Sequence, residues 1–459
     1  MELLNFIGGE FVASESKKTF IKKSSFDGSD LATVAQSDAM DVIKALQGAK
    51  KALTQIENQT LENRSQHLLA MAQHLEANKD RYAFLEALHQ GLPKSFVLKN
   101  DIEVAIAHLK QVAQSLLQDG NHYTRPSGLV GIITPWCLSL REVMERLAPA
   151  LAAGNAVMLK VSEHSPITAQ VLGETLQAAH VESGLVQIIQ GGADVAQLIA
   201  GHPSIRAVTA AGRNSTMESI AKAALPQFKK LQLSGGAKNA TIVLADTDFK
   251  SRMNEIMTPF MLGQGQMCWN SSRLFVLESF YKEFMDSLNE YLQSLKPLVS
   301  PEGESVWTPL IAEDRISAID ERSQFGVSEH GKIFWGSKRA DHPGYFVKPT
   351  VMMDLPNCSV MQQDELHGPL ILVTSVKYQH ETLKWANTSY LAHSAVVWGP
   401  EEKLGKVSGK LEVAQVWENC WMSGESNIIF GHKQSSFGNL DVAWNGSFYS
   451  DVKKLTGAR

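Results

Sequence analysis

Hydrophobic positions along the chain change period several times, and each change marks an element. After Ser37 the apolar residues Val42, Ile43, Leu46, Ala49 and Leu53 recur at helical spacing, predicting a helix with Ser37 as its cap. From about Leu61 the same spacing returns in Leu68, Leu69, Ala72 and Leu75. Then apolar runs take over. GLVGIITPW reads as a buried strand, Glu142 to Ala153 as a helix stopped by Gly154, and AVMLKV as a strand. PITAQVLGETLQAAH follows as a helix with Pro166 near its start, and LVQIIQ as another strand. Strands apolar on both faces, alternating with amphipathic helices, predict parallel sheets built from βαβ units.

The rhythm resumes after Gly235. ATIVLA predicts a strand, a helix runs to about Leu262, SRLFVLE is a strand and SFYKEFMDSLNEYLQSL a helix. Residues 296–345, rich in Pro, Gly and charge, predict a loose connection. Beyond it ILVTSV, SAVVWG and AQVWEN predict further strands. No internal repeat or low-complexity segment is evident. Two α/β domains joined near Gly235 are the simplest arrangement.

Composition narrows the function more than the fold. The 459 residues carry a net charge of -5 without a basic stripe or acidic tail, so neither nucleic acid nor an anionic membrane surface is expected as a partner. The start, MELLNFIGGEFVASESKK, lacks the basic and apolar regions of a signal peptide, and no apolar run has the length of a membrane span. Cys137, Cys268, Cys358 and Cys420 are scattered, with no CxxC and no Cys/His ligand spacing. That predicts no disulfide framework, no metal site and a reducing cytoplasm.

One cysteine stands out. In GQGQMCWNSSRLFV, Cys268 lies between a Gly-Gln turn and a β-type run, a place for either a nucleophile or an inert buried thiol. No G-x-G-x-x-G follows a strand, so the usual dinucleotide fingerprint is missing. Yet PWCLSL, KVSEHSP, LQLSGGAKNATIV, GQMC, ELHGP, GYFVKPTV and VWENCW occur in that order. Their order and spacing resemble the aldehyde dehydrogenase superfamily, from NFIGGEF to the C-terminal segment. The phrase VWENCW with the later FGHKQSSFG most resembles the 2-hydroxymuconic and 2-aminomuconic semialdehyde dehydrogenases.

The resemblance implies an α/β fold with a Rossmann-type cofactor domain (1–116 and 130–234) and an α/β catalytic domain (235–430). A small oligomerisation arm would comprise 117–129 and 440–459. The segment before HYTRPSGLVGI is short, which implies a homodimer rather than a tetramer. Cys268, last of Gly265-Gln266-Met267-Cys268, matches the family's nucleophile, which forms a thiohemiacetal and then a thioester. Lys160 and Glu163 match positions that hold the adenosine ribose. Glu365 matches the glutamate on the nicotinamide ribose, and Trp136 a cofactor contact. A carboxylate at the ribose favours NAD over NADP.

The departures fall at the chemistry. Cys137 replaces the Asn of PWN whose amide stabilises the oxyanion, and a thiol is a poor donor in its place. Losing one such donor typically costs ~100- to 1000-fold in rate. Gln232 stands for the glutamate of LELGG that activates water, and Gln is no base at neutral pH. His367 replaces an aromatic and is either a substitute acid/base or a structural histidine. In GRNSTM, Gly212 is kept while Met217 replaces the second glycine; Arg213 either reaches a pyrophosphate or is solvated. Arg146 keeps a cation where a lysine is usual, and Asn419 matches. Trp269 is either channel wall or core.

Three readings follow: NAD-dependent oxidation of a small aldehyde or semialdehyde, a CoA-acylating relative, or a catalytically impaired, non-enzymatic paralogue.

Overall fold

A computed structural model describes residues 1–57, 59–118, 124–423, 431–438 and 447–452. The predicted parallel sheets form. In the first, Lys230–Ser234, Ala207–Ala211, Leu129–Ile133, Ala156–Lys160 and Val186–Ile188 lie side by side and parallel. Ser436–Phe437 closes one edge antiparallel, and Asn5–Ile7 with Glu10–Val12 the other. The central strands are buried at nearly every position, as helices on both faces require.

The second sheet runs Thr350–Met353, Leu370–Val376, Ser271–Leu277, Asn239–Val243, Ser394–Trp398 and Gln415–Glu418, all parallel, with Lys332–Trp335 antiparallel at its edge. Thr124–Pro126 pairs with Ser450–Val452. Of the expected arm, 119–123, 440–446 and 453–459 lie outside the described residues.

Several local expectations need correction. Asp38, not Ser37, caps the first predicted helix, Ala39–Gln55, because its carboxylate accepts from the amide of Met40. Ile43 and Leu69 are exposed; Ala45, Ala52 and Met71 fill the buried faces instead. The supposedly loose region contains the helix Asp314–Ser328 and the strand Lys332–Trp335.

In the first sheet the chain moves one way from Leu129–Ile133 through Ala156–Lys160 to Val186–Ile188. It then returns to build Ala207–Ala211 on the other side. The crevice beyond the C-terminal ends of Leu129–Ile133 and Ala207–Ala211 is therefore a topological switch point, where open α/β sheets bind ligands.

Candidate active site

A cavity of about 470 Å³ opens there. The first sheet contributes Ile133, Lys160, Ala211 and Ser234, each the last or next-to-last residue of its strand or at its exit. The second half of the chain contributes Gln266, Cys268, Glu365 and His367. Of the residues singled out in the sequence, Trp136, Cys137, Lys160, Glu163, Gly212, Cys268, Glu365 and His367 all line this one cavity.

Gln232 does not. It sits two residues before the end of Lys230–Ser234, deeper by roughly 6–7 Å at ordinary strand rise. Its Oε1 accepts from Thr209 Oγ1 at 2.9 Å, and Thr209 also bonds Tyr449. Ser234, on the same face of the strand, is the residue that reaches the cavity. Gln232 is thus a buried amide bonded to Thr209, and Ser234 is the residue of this strand that lines the cavity.

The Cys268 loop is rigidly tied. Asn239 Nδ2 donates to the carbonyls of Cys268 (2.7 Å) and Asn270 (2.9 Å), while its Oδ1 accepts from the Ser394 amide. Asn270 Oδ1 accepts from the Met267 amide, and its Nδ2 donates to Pro259 and Leu262. Gly265 turns this loop at φ 64°, and a Cβ there would stand 2.3 Å from the carbonyl oxygen of Gly368. Such a network fixes the thiol without using the thiol itself.

Cys137 lies directly before the helix Ser139–Ala152, every residue of which is buried. Gln90 Oε1 accepts from the Leu138 amide and Asp101 Oδ1 from that of Arg141. The main-chain amide of Cys268 lies near enough to the Cys137 sulfur to favour its thiolate, so the two cysteines are neighbours. Burial pushes both thiols up; Glu142 adds to this at each, and Arg141 partly offsets it at Cys268.

Glu142, which motif reading did not single out, also lines the cavity. Its Oε2 accepts from Arg146 at 2.7 Å, yet burial and Glu145 hold its carboxyl above the ordinary range despite that cation. Arg141 pairs with Glu145 at 2.7 Å and lies over the Trp269 ring. Trp269 is 2% exposed and absent from the cavity wall, so its role is core. The paired charges at i,i+4 on an all-buried helix were the available signal for Glu142.

At the other end of the cavity Lys160 Nζ donates to Glu163 Oε2 at 2.6 Å. Burial would raise the Glu163 carboxyl, but this lysine holds it below its usual range. His367 Nε2 lies 2.8 Å from Glu365 Oε2, and the Ala237 amide donates to Glu365 Oε1. Against burial, His367 keeps Glu365 ionised. A Cβ on Gly236 would stand 2.0 Å from Glu365, so only glycine admits that carboxylate. Arg213 also lines the cavity. Asn419 does not; it exchanges two hydrogen bonds with Gly399 and shapes a strand end. Among the described residues no three or more His, Cys, Asp or Glu are placed to hold a metal ion, and no helix is long and apolar enough to cross a membrane.

Comparison with known proteins agrees with this layout. A family model described as the aldehyde dehydrogenase family matches residues 11–455. The 2-hydroxymuconic semialdehyde dehydrogenase of Pseudomonas sp. (strain CF600) is 30% identical, over 99% of each chain. The 2-aminomuconic semialdehyde dehydrogenase of Danio rerio is 28% identical over 99% of this chain and 98% of that protein. A solved NAD+ complex of aldehyde dehydrogenase from Bacillus cereus superposes with a TM-score of 0.91 at 27% identity, covering 99% of this chain and 96% of that one.

Proposed function

The chain belongs to the aldehyde dehydrogenase family and is an enzyme of that class, and on that premise we propose that it oxidises a small aldehyde or semialdehyde with NAD, through Cys268. The observation that supports this most is that one cavity joins the Cys268 thiol to the two acidic anchors, Glu163 and Glu365. NAD fits the donor set: two carboxylates, Glu163 and Glu365, suited to ribose hydroxyls, with Arg213 between strand and helix for a diphosphate. Bound NAD supplies the acceptor for the two electrons and the hydrogen leaving the substrate.

The protein's own part is as follows. The Cys268 thiolate adds to the aldehyde carbon, and the substrate oxygen takes up the amide of Cys268. Oxidation leaves a thioester on Cys268. Water must then release the acid, and neither Ser234 nor Gln232 is a base for it. Glu142, a cavity-wall carboxylate held above its ordinary range, is the group we assign to accept the proton of that water. With the amide side chain missing at Cys137, deacylation is the slow step. The likeness to semialdehyde dehydrogenases supports a semialdehyde as substrate; the short segment before HYTRPSGLVGI supports a homodimer, and four free cysteines fit a reducing cytoplasm.

A single-turnover experiment with stoichiometric protein, NAD and a panel of aldehydes tests this. A burst of NADH followed by slow turnover, lost in Cys268→Ser and unchanged by CoA, is the expected result. Flat traces across the panel, with no NAD binding by titration, would overturn it.

A further inference from the structure

We propose that Cys137 and Cys268 form an active-site dithiol that hydroperoxides convert to a reversible intrachain disulfide, with Cys268 the attacking thiol and Cys137 the resolving one. Both are free and line the same cavity. The main-chain amide of Cys268 lies near enough to the Cys137 sulfur to favour its thiolate, and Cys137 in turn bears on the Cys268 thiol. The two side chains are thus neighbours in the wall of one cavity.

The two main chains are pinned from opposite sides. Asn239 and Asn270 hold the Cys268 loop, and Gln90 and Asp101 hold the start of the helix behind Cys137. Disulfides tolerate a narrow range of backbone separations, and here both backbones are held in place by their surroundings. Cys358 is exposed and Cys420 half-buried, and neither lines the cavity.

The order of events follows from access. Cys268 is half-buried on the cavity wall, whereas Cys137 is 5% exposed; burial, Cys137, Glu142 and Glu365 oppose the Cys268 thiolate and Arg141 offsets them in part, so alkaline pH speeds the first step. The Cys268 thiolate attacks one peroxide oxygen. The O–O bond breaks, water or an alcohol departs, and the sulfur, having given two electrons, becomes a sulfenic acid. The Cys137 thiol then attacks that sulfur. The S–S bond forms as the S–O bond breaks, and hydroxide leaves as water with the proton of Cys137. A dithiol reductant reverses the outcome. The disulfide withdraws the nucleophile from service and bars its oxidation to the irreversible sulfinic acid. A thiol in the place of an oxyanion amide thereby gains a purpose that oxyanion stabilisation does not give it.

The test needs no turnover and so stands apart from the proposed activity. The full chain is treated with a few equivalents of hydrogen peroxide, alkylated under denaturing conditions, and examined by intact mass and non-reducing peptide mapping. The expected result is loss of two of the four titratable thiols, a link between the peptides carrying Cys137 and Cys268, and full recovery with dithiothreitol. Cys358→Ser combined with Cys420→Ser should leave that link unchanged. Cys137→Ser, and independently Cys137→Ala, should instead carry Cys268 to the sulfinic acid. Wild-type protein in which Cys268 gains two oxygens while Cys137 remains alkylatable overturns the proposal, as does a disulfide that joins any other pair.

Discussion

Cys268 meets its neighbours before it meets a substrate: burial first, then Cys137, Glu142 and Glu365, oppose its ionisation, with Arg141 as the offsetting cation. Its thiol therefore stands well above the usual 9.0. For an acid with a raised pKa the reactive thiolate grows as pH rises, and no plateau appears below that pKa. Alkylation of Cys268 by iodoacetamide, followed by peptide mass spectrometry, should climb about tenfold per pH unit through neutrality and still be rising at pH 9.0. A plateau near pH 7 would show that some group lowers this thiol after all. Glu142 makes the second prediction at this scale. Glu142→Gln keeps the shape and removes the proton acceptor, so the NADH burst should keep its amplitude while steady turnover falls about 100-fold or more. Because Arg146 loses a charged partner in this variant, the thermal midpoint is measured beside it, and Glu142→Asp should recover part of the turnover without moving the burst.

Strands decide which side chains see the cavity, and the strand Lys230–Ser234 shows how finely. Its alternate residues Lys230, Gln232 and Ser234 share a face. Lys230 reaches the Ser450 carbonyl, Gln232 bonds Thr209, and Ser234 reaches the cavity. Ser234→Glu should accordingly place a carboxylate at the crevice and raise the rate of thioester release, read as a faster steady phase after the same burst. Gln232→Glu should leave release unchanged and cost about 2–4 kcal/mol in urea denaturation, since it buries a charge beside Thr209 and Tyr449. If Gln232→Glu speeds release instead, the strand's geometry has been misassigned. Element identity was legible because short uninterrupted apolar runs and period-3.6 runs are distinct here, as in Leu129–Ile133 and Tyr281–Ser294. The helix Asp314–Ser328 was hidden because it buries only Ile319, Ser323 and Gly326, leaving no apolar stripe to read. The Ser37 cap failed for a similar reason: Ser37 is buried, its hydroxyl bonds Asn5 Oδ1, and the capping carboxylate is one residue on.

At the scale of the whole molecule the cavity exists only because two sheets meet, and motif order carried that much: residues from 133 to 367 converge on it. What motifs could not carry was depth, which is why Gln232 was named where Ser234 lines the cavity, and why Glu142 went unseen. The meeting itself depends on a short return of the chain. Ser435, fully buried, accepts the Gly235 amide on its carbonyl and donates its hydroxyl to the Gly236 carbonyl, while the Ala392 amide donates to that same hydroxyl. Gly235 and Gly236 leave the first sheet, and Ala392 lies just before the Ser394–Trp398 strand of the second. One side chain thus joins both halves directly beneath Glu365, whose approach requires Gly236. Ser435→Ala would strip a buried amide and a buried carbonyl of their shared partner, at about 1–3 kcal/mol for an unsatisfied group. The expected outcome is a lower urea midpoint together with weaker NAD binding, while alkylation of Cys268 keeps its pH profile because Asn239 and Asn270 still hold that loop. Loss of stability with unchanged NAD affinity would separate the clasp between the sheets from the cofactor end of the cavity.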